Sequence, residues 1–447
     1  MADGARATIA ALASGFVEFT VDGLSSEKDG PLGWDGYDAS RARATERTGT
    51  DESVVCGRGK VGGHEVVVIC FEFGFLGGSV GTGTGARIEE ALDRAGSLGL
   101  PVVSLLSTGG TRMQEGVPAV RQLQRIARGL VLLREKGLPH ITVVRHPTTG
   151  GVWASLGADA DVVLGIPGAQ VGFAGRRVRP ERFADDPAYA AESQFAAGHL
   201  DELVPEDALA ERLETWLGFL TGGARNRPAD VPRALGALEP APDGWSAVLR
   251  ARSAHRPRAA AYLDDYFDAR ASIRGDRSGG TDDGVLCGIG RRGGRSIAFA
   301  AQAGTATTPA GFRTATRLVR LADRLGLPVL TLVDTPGAAA GPDAETAGTG
   351  HAIAELFAAI AAASVPITTL VIGEGGSGGA LAFCSPDRIW LTPDAYFSVI
   401  APELAAGILK RPSGDVPALA GELKLRPADL LVLGVIDGIA SAGPARS

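Results

Sequence analysis

A run of closely spaced glycines is the stretch of this sequence most suggestive of chemistry. The apolar segment Ile367–Ile372 leads into Glu374-Gly375-Gly376-Ser377-Gly378-Gly379, and apolar residues resume at Ala380. Glycine lets backbone N–H groups point outward and lets a ligand approach the main chain with no Cβ in the way. Such N–H groups can stabilise an oxyanion, for example the enolate of a thioester, without any side chain. The stretch therefore predicts either an oxyanion site or a glycine-rich turn that only packs a strand against a helix.

Side-chain catalysts are missing around these glycines. The six histidines form no HExxH motif and no ligand pair at i and i+4. A serine hydrolase would use Ser377 as its nucleophile, followed by an Asp and a His, but no histidine follows His351. Four acidic residues either act as acids or only cap helices and hold loops: Glu115, Asp334, Glu345 and Glu374. Backbone donors therefore fit the sequence better than a side-chain nucleophile.

The first half carries a glycine run of its own, from Gly77 to Gly85. A dinucleotide-binding fold would need an acidic residue at the end of the next strand, which instead ends in Ser107-Thr108-Gly109-Gly110. A phosphate-binding Walker loop would need Gly-Lys-Ser/Thr, but Gly59-Lys60 is followed by Val61. Neither nucleotide motif is present.

The two halves of the chain repeat one order of motifs. Residues 99–110 correspond to 326–337, and residues 138–151 correspond to 365–379. The offset is 227 residues from Gly99 to Gly326 and 228 residues from Gly150 to Gly378. Two segments that keep one spacing indicate a duplicated domain of about two hundred residues.

Hydrophobic periodicity predicts the same elements in both halves: a hairpin, a helix, a strand, a helix, a strand and a glycine turn. In the first half these are strands 53–56 and 65–70, helix 86–98, strand 102–106, helix 117–136 and strand 141–144. In the second half they are strands 285–289 and 296–300, helix 311–325, strand 329–333, helix 351–363, strand 367–372 and a helix start at Ala380. The predicted organisation is an arm (1–50), a domain (51–225), a proline-rich linker (226–260) with a short helix at 245–252, and a second domain (261–447).

Composition limits the class of protein. The 447 residues, 45% of them hydrophobic, suffice for two cores, and a net charge of −7 gives no general attraction to nucleic acid or anionic membrane. The four cysteines are too scattered for a zinc or redox pair, so we expect reduced core thiols. The N-terminus lacks a signal-peptide pattern, and the longest apolar run, 356–372, is broken at Pro366. We therefore expect a cytoplasmic protein without a membrane span.

The segment Ser107–Gly116 reads Ser-Thr-Gly-Gly-Thr-Arg-Met-Gln-Glu-Gly. It resembles the SGGARMQEG motif of the carboxyltransferase β subunit of acetyl-CoA carboxylase. Segments 75–81, 147–152 and 171–178 are similar to its other signatures. The second half resembles the α subunit through segments 334–338, 373–381 and 396–403. The chain is thus identified as a β-type and an α-type carboxyltransferase fused in one chain, a component of a biotin-dependent acyl-CoA carboxylase.

This resemblance implies an α/β fold of two tandem crotonase-like (ClpP/crotonase) ββα superhelix domains. It also implies a reaction that moves CO2 from carboxybiotin to the α-carbon of an acyl-CoA, acetyl-CoA giving malonyl-CoA. The N–H groups of Gly109 and Gly110 would hold the thioester enolate, those of Gly379 and Ala380 would hold the ureido oxygen of biotin, and decarboxylated biotin would take the α-proton. The motifs imply further substrate-binding residues: Gly77, Gly78, Ser79, Thr108, Arg112, Gly150, Gly151, Gly175, Gly337, Gly375, Gly376 and Gly378.

The sequence departs from the family motifs at several places. The four-cysteine zinc ribbon of the bacterial β subunit is absent, so no metal is expected. In the α-type motif, Ala339 and Ala340 replace Tyr-Pro. Two alternatives stay open. One is a malonyl-thioester decarboxylase or specialised biosynthetic (de)carboxylase of the same fold, and the other is a non-catalytic assembly subunit.

The resemblance also implies partners. A biotinylated lysine normally lies in a Met-Lys-Met turn, but Met1 and Met113 are the only methionines and neither adjoins a lysine. We therefore expect biotin to arrive on a biotin carboxyl carrier protein that is loaded by a biotin carboxylase subunit. In the family, the first half of one protomer docks against the second half of another, so we expect a homodimer or a higher even-numbered assembly, with no nucleic acid or membrane partner.

Overall fold

The computed structural model describes residues 4–21 and 27–443. Parts of the predicted arm (1–3 and 22–26) and of the predicted second domain (444–447) lie outside the described residues. The described chain divides into two compact units. Unit 1 runs to Thr221 and includes Arg277–Gly279, and unit 2 comprises Gly222–Asp276 together with the residues from Gly280 onward.

Unit 1 is built on an eight-stranded sheet, counted over the described residues. Its strands are β1 (Ser14–Glu18), β2 (Val54–Val61), β3 (His64–Phe71), β4 (Val102–Thr108), β5 (His140–Thr149), β6 (Val162–Gly165), β7 (Val171–Gly172) and β8 (Glu202–Leu203). The order is β1-β2-β3-β4-β5-β6-β8, and β7 also pairs with β5. The β1–β2 and β2–β3 pairs are antiparallel and the pairs from β3 to β8 are parallel. The loops after β3, β4 and β5 therefore leave the sheet at one edge, where α/β sheets bind ligands.

Helices cover the sheet of unit 1. They are α1 (Ala5–Leu12), α2 (Tyr37–Thr48), α3 (Thr82–Leu98), α4 (Gly116–Glu135), α5 (Ala191–Ala196) and α6 (Leu209–Thr221). On α3 the buried residues Ile88, Ala91, Leu92 and Ala95 recur at helical spacing, so one face is apolar. This face joins a core with sheet residues such as Ile69 and with apolar residues of α4.

Unit 2 repeats this sheet. Its strands are β9 (Ala269–Ile273), β10 (Val285–Arg292), β11 (Arg295–Gln302), β12 (Val329–Thr335), β13 (Ile367–Gly376), β14 (Ile389–Leu391), β15 (Tyr396–Ser398) and β16 (Gly438–Ile439). The order is β16-β14-β13-β12-β11-β10-β9, with β15 also on β13. Taking β1 to β8 in turn, each strand has a counterpart among β9 to β16 with the same neighbours. The predicted α/β class and the duplication are confirmed.

The helices of unit 2 are α7 (Gly244–Arg252), α8 (Ala259–Tyr266), α9 (Pro309–Leu325), α10 (Pro342–Thr346), α11 (Thr349–Ala362), α12 (Ser377–Leu381), α13 (Pro402–Ile408), α14 (Val416–Glu422) and α15 (Pro427–Val432). Helix α9 begins with Pro309 at its first position, behind the Thr308 cap, and ends before Gly326, which has a φ of 70°. The aromatic residues Tyr262 and Tyr266 of α8 pack on the sheet core around Phe299.

Two regions differ from the sequence-based expectation. Strand β13 continues through Gly376, and the following helix begins at Ser377 rather than at Ala380, because the first glycines keep pairing with β12 and β15. Residues 226–260, predicted as a linker, belong to unit 2, and buried residues such as Ala229 and Ala247 join its cores. In the described part of the chain, no helix is long and apolar enough to cross a bilayer.

Candidate active site

Three loops of unit 1 meet at the edge where β3, β4 and β5 end. The Gly109 N–H donates to the Gly77 carbonyl at 2.9 Å, and the Val80 N–H donates to the Gly110 carbonyl at 2.8 Å. A Cβ built on Gly110 would lie 3.4 Å from Cα of Gly150. The predicted residues Gly77, Gly109, Gly110 and Gly150 are therefore neighbours in space.

The N–H groups of Gly109 and Gly110, predicted to hold an oxyanion, already have acceptors. Gly109 donates to Gly77, and Gly110 donates to Thr108 Oγ1 at 3.0 Å. Gly110 has a φ of 109°, which fixes its peptide in a conformation that residues with a Cβ rarely adopt. In this arrangement neither N–H is free to bind a ligand, because each would first have to leave its partner.

The glycine turn after β5 (residues 150–152), here called the elbow of unit 1, offers other donors. The Gly150 N–H donates to the Phe173 carbonyl at 2.9 Å, and Gly175 packs beside Thr149 just before it. A helical turn begins at Gly151, so the N–H groups of Gly151 and Val152 have no intrahelical acceptor. A surface cleft of about 450 Å³ adjoins Gly151 and is lined mainly by small and apolar residues, among them Leu123, Ala127 and Phe173.

Arg112, predicted to bind substrate, is fully buried inside unit 1. Its guanidinium donates to Glu52 Oε2 at 2.8 Å and to Glu115 Oε1 at 3.0 Å. The Tyr37 hydroxyl of α2 donates to the same Glu115 oxygen at 2.5 Å. The side chain therefore positions the loop that carries Gly109 and Gly110 and does not face a ligand. The hydroxyl of Ser79 likewise points inward and donates to the Leu76 carbonyl at 2.8 Å.

The electrostatics of this network keep Glu115 ionised. Burial alone would raise the pKa of Glu115, but the Thr82 N–H and hydroxyl, the Tyr37 hydroxyl and the charge of Arg112 together hold it below its usual range. Burial raises the pKa of the Tyr37 hydroxyl, which stays a donor. Glu115 thus holds a loop rather than acting as an acid.

The corresponding turn at the end of β13 (residues 376–380), here called the elbow of unit 2, packs on the loop after β12. A Cβ on Gly376 would clash with the Pro336 carbonyl, and a Cβ on Gly379 would clash with the backbone nitrogen of Ala338. The Gly337 N–H donates to Thr335 Oγ1 at 3.1 Å, as the Gly110 N–H does to Thr108. Next to this packed side, nothing lies within 4 Å of a Cβ position on Gly378. The predicted residues Gly337, Gly375, Gly376, Gly378 and Gly379 therefore form one packed layer with an open side at Gly378.

Ser377 lies at the sharp turn from β13 into α12. Its φ is 55°, in the left-handed region that only a few non-glycine residues occupy, and the residue is exposed. Such strain recurs at functional sites.

Two of the acidic candidates in unit 2 hold the ends of β12 and β13. Asp334 accepts from Arg256 Nη2 at 2.5 Å and from Arg258 Nη1 at 2.9 Å. Glu374 accepts from Arg252 Nε at 2.8 Å and from the Tyr396 hydroxyl at 2.9 Å. Both carboxylates therefore have structural roles.

Sequence reasoning missed the three arginines that hold these carboxylates, Arg252, Arg256 and Arg258. They lie in a proline-rich stretch, whose composition gave no signal of a packed role. The fourth acidic candidate, Glu345, is exposed on α10. Over the described residues, no three His, Cys, Asp or Glu side chains are close enough to hold a metal ion, and the four cysteines are free and buried.

The chain is similar in sequence to known protein families and to individual proteins. The family described as "Carboxyl transferase domain" matches residues 34–197, and the family described as "Acetyl co-enzyme A carboxylase carboxyltransferase-like" matches residues 241–445. The chain is 40% identical over 420 residues to the acetyl-coenzyme A carboxylase carboxyl transferase subunits beta/alpha of Salinispora arenicola, covering 89% of this chain and 74% of that one. It is 34% identical over 425 residues to the "probable biotin-dependent acyl-coenzyme A carboxylase beta3 subunit" of Mycobacterium bovis, covering 92% and 84%.

Solved structures share the fold at lower sequence identity. The transcarboxylase 12S crystal structure superposes with a TM-score of 0.80 at 21% identity, covering 98% of this chain and 87% of that one. A single-chain, multi-domain long-chain acyl-CoA carboxylase superposes with a TM-score of 0.77 at 20% identity, covering 98% of this chain and 44% of that one.

Proposed function

The chain belongs to the carboxyltransferase family of biotin-dependent acyl-CoA carboxylases, and on this premise we propose that it moves CO2 from carboxybiotin to the α-carbon of a short acyl-CoA. The similarity to the fused carboxyl transferase subunits confirms the predicted family. The similarity to solved carboxyltransferase structures confirms the predicted tandem crotonase-like fold. The observation that carries the proposal is the pair of equivalent backbone elbows after β5 and β13. Acetyl-CoA is the first candidate substrate, because the fused relatives are named for it.

For the thioester enolate we propose the N–H groups of Gly151 and Val152 in place of Gly109 and Gly110. The 228-residue offset makes Gly151 and Val152 the counterparts of Gly379 and Ala380, which keep their proposed role. Fixed donors of this kind act on the charge that develops in the transition state. Gly109 and Gly110 then support the elbow, since a Cβ on Gly110 would touch Gly150.

The elbow of unit 2 fits a ureido group by its chemistry. Its N–H groups are donors for the ureido oxygen, and its open side at Gly378 leaves room for a ring. Carboxybiotin, when bound, supplies the activated CO2. Gly379 and Ala380 would bind and orient the ureido oxygen, while the packed layer beneath them excludes water from that side.

We propose that the two elbows work together between protomers. Large apolar side chains that are more than half exposed follow the glycine turns in sequence: Met113, Val117, Phe173 and Val178 in unit 1, and Val399, Leu404 and Ile408 in unit 2. Exposed apolar surface often marks a protein–protein interaction site. A second copy would cover them, and the related transcarboxylase 12S is described as a hexamer assembly. A biotin carrier and a biotin carboxylase, in the cytoplasm, complete the proposed system.

Steady-state kinetics test this function. The purified chain is assayed with acetyl-, propionyl- and malonyl-CoA, each with and without a carboxylated biotin donor. We expect carboxylation of acetyl- or propionyl-CoA only when the donor is present. Consumption of malonyl-CoA alone, without a biotin donor, would instead identify a decarboxylase.

A further inference from the structure

A buried amide lies beneath the elbow of unit 2. Gln302 is the last residue of β11 and is fully buried. It pairs with Val285 as Phe71 pairs with Val54 in unit 1, so Gln302 occupies the position of an aromatic residue in the other half. A polar group buried in such a place is costly unless it is hydrogen-bonded.

The amide of Gln302 contacts the elbow directly and, through Thr307, the loop after β12. Its Nε2 donates to the Gly379 carbonyl at 3.1 Å and to Thr307 Oγ1 at 3.0 Å. The Thr307 N–H in turn donates to the Gly337 carbonyl at 3.0 Å. The Oε1 atom of Gln302 has no hydrogen-bond partner among the described residues. Because an unpaired buried acceptor is destabilising, packing alone does not account for an amide at this position.

In unit 1 a different residue donates a hydrogen bond to the equivalent carbonyl. The counterpart of the Gly379 carbonyl is that of Gly151, which accepts from Ser155 Oγ at 2.8 Å. Ser155 lies four residues after Gly151, whereas the residue four positions after Gly379 is Phe383, which has no donor in its side chain. In both elbows a side chain donates to the equivalent carbonyl, and in unit 2 that side chain comes from a strand far away in sequence.

We propose that Gln302 is a positioning residue that sets the orientation of the oxyanion donors in unit 2. A trans peptide group is planar, with its C=O and N–H on opposite sides. Holding the Gly379 carbonyl therefore fixes the direction of the Ala380 N–H. This inference rests on the proposed function, because it gives Gln302 a role toward the ureido oxygen that Gly379 and Ala380 would bind.

The test compares Gln302→Met, which keeps the side-chain length but removes the donor, with Thr331→Val. The control removes the 2.7 Å hydrogen bond between Thr331 and Thr369, which is also buried in the sheet of unit 2 but lies away from the elbow. We expect Gln302→Met to lower kcat with the biotin donor by about tenfold, less than the loss of a whole donor, and to leave KM for acyl-CoA unchanged. Thr331→Val should change neither. A kcat for Gln302→Met equal to that of the control would overturn the proposal.

Amide hydrogen exchange gives a readout that does not depend on the reaction. Gln302→Met should speed exchange in the peptide that spans residues 377–383, while Thr331→Val should leave that peptide unchanged. A wild-type chain without carboxyltransfer, but with this exchange difference, would refute the proposed function and keep the positioning role. Equal exchange in wild type and Gln302→Met would refute the positioning role whatever the reaction.

Discussion

The Nη2 atom of Arg112 lies 2.8 Å from Oε2 of Glu52, and both side chains are buried. Glu52 precedes β2, and Arg112 follows the glycines after β4, so the ion pair ties the loop after β4 to the beginning of strand β2. Glu115 places a second carboxylate 3.0 Å from the same guanidinium. A buried network of this kind adds little net stability while intact, but it becomes costly when one member is removed.

Replacing Arg112 by Met should destabilise unit 1 by about 3–5 kcal/mol, because the buried carboxylates of Glu52 and Glu115 would lose the guanidinium that both of them contact. Denaturant unfolding measures the loss. The matched control is Arg125→Met, whose ion pair with Glu89 is largely exposed and contributes about 0–1 kcal/mol. Equal losses in the two variants would show that the buried network does not behave as an ion-pair cluster.

The lowered pKa of Glu115 predicts a pH dependence with a definite sign. A carboxyl whose folded pKa is depressed stabilises the fold above its unfolded pKa of about 4.3, and this stability is lost as pH falls through the folded value. Unit 1 should therefore lose stability below about pH 4.3. Glu115→Gln should be less stable at neutral pH but show a shallower acid dependence, measured as urea unfolding between pH 3 and pH 7. Identical slopes in wild type and variant would contradict the assignment.

A side chain at Gly379 should stop catalysis. In Gly379→Ala the new Cβ would press on the Ala338 backbone and displace the elbow donors. Loss of one such donor lowers the rate by about 10² to 10³. Gly350→Ala is the control, because Gly350 lies in the first turn of α11 with open space at its Cβ position, where alanine adds about 0.4–1 kcal/mol of stability. Full activity in Gly379→Ala, measured as kcat, would remove Gly379 from the site.

The Ser377→Gly variant tests whether catalysis uses the backbone N–H groups of the elbow or the Ser377 hydroxyl as a nucleophile. Relief of the left-handed conformation should stabilise the fold by about 1–2 kcal/mol, offset by about 0.4–1 kcal/mol from the freer unfolded chain. We expect a slightly higher melting temperature and activity within about twofold of wild type, because the N–H groups of the elbow remain. Abolished turnover in a folded Ser377→Gly variant would point to the hydroxyl.

The local sequence pattern predicted the duplication and the positions of the elbows, because helix periodicity and glycine spacing are properties of neighbouring residues. It could not predict hydrogen-bond and ion-pair partners that are distant in sequence. The Gly109 N–H appeared free until the fold placed the Gly77 carbonyl 2.9 Å away. Arg256 appeared to belong to a linker until it was found against Asp334, 78 positions along the chain. Whether a backbone donor is free depends on such contacts, which a motif does not encode.

The shared-site arrangement predicts complementation between inactive variants. Gly110→Val forces a β-branched residue into a φ of 109° beside Gly150, and Gly379→Val displaces the elbow of unit 2. If unit 1 of one protomer faces unit 2 of its partner, each variant alone has no intact site, whereas a mixed dimer carries one site with both elbows unaltered. Subunits exchanged at low concentration and then reassembled should recover up to about a quarter of wild-type activity, because random pairing makes about half the dimers mixed and each of these has one of its two sites intact.

The control mixes Gly379→Val with wild type and measures any dominant effect of the variant on assembly. No recovery after mass spectrometry has shown exchange, or full turnover by a monomer in analytical ultracentrifugation, would place both elbows of a working site in one chain.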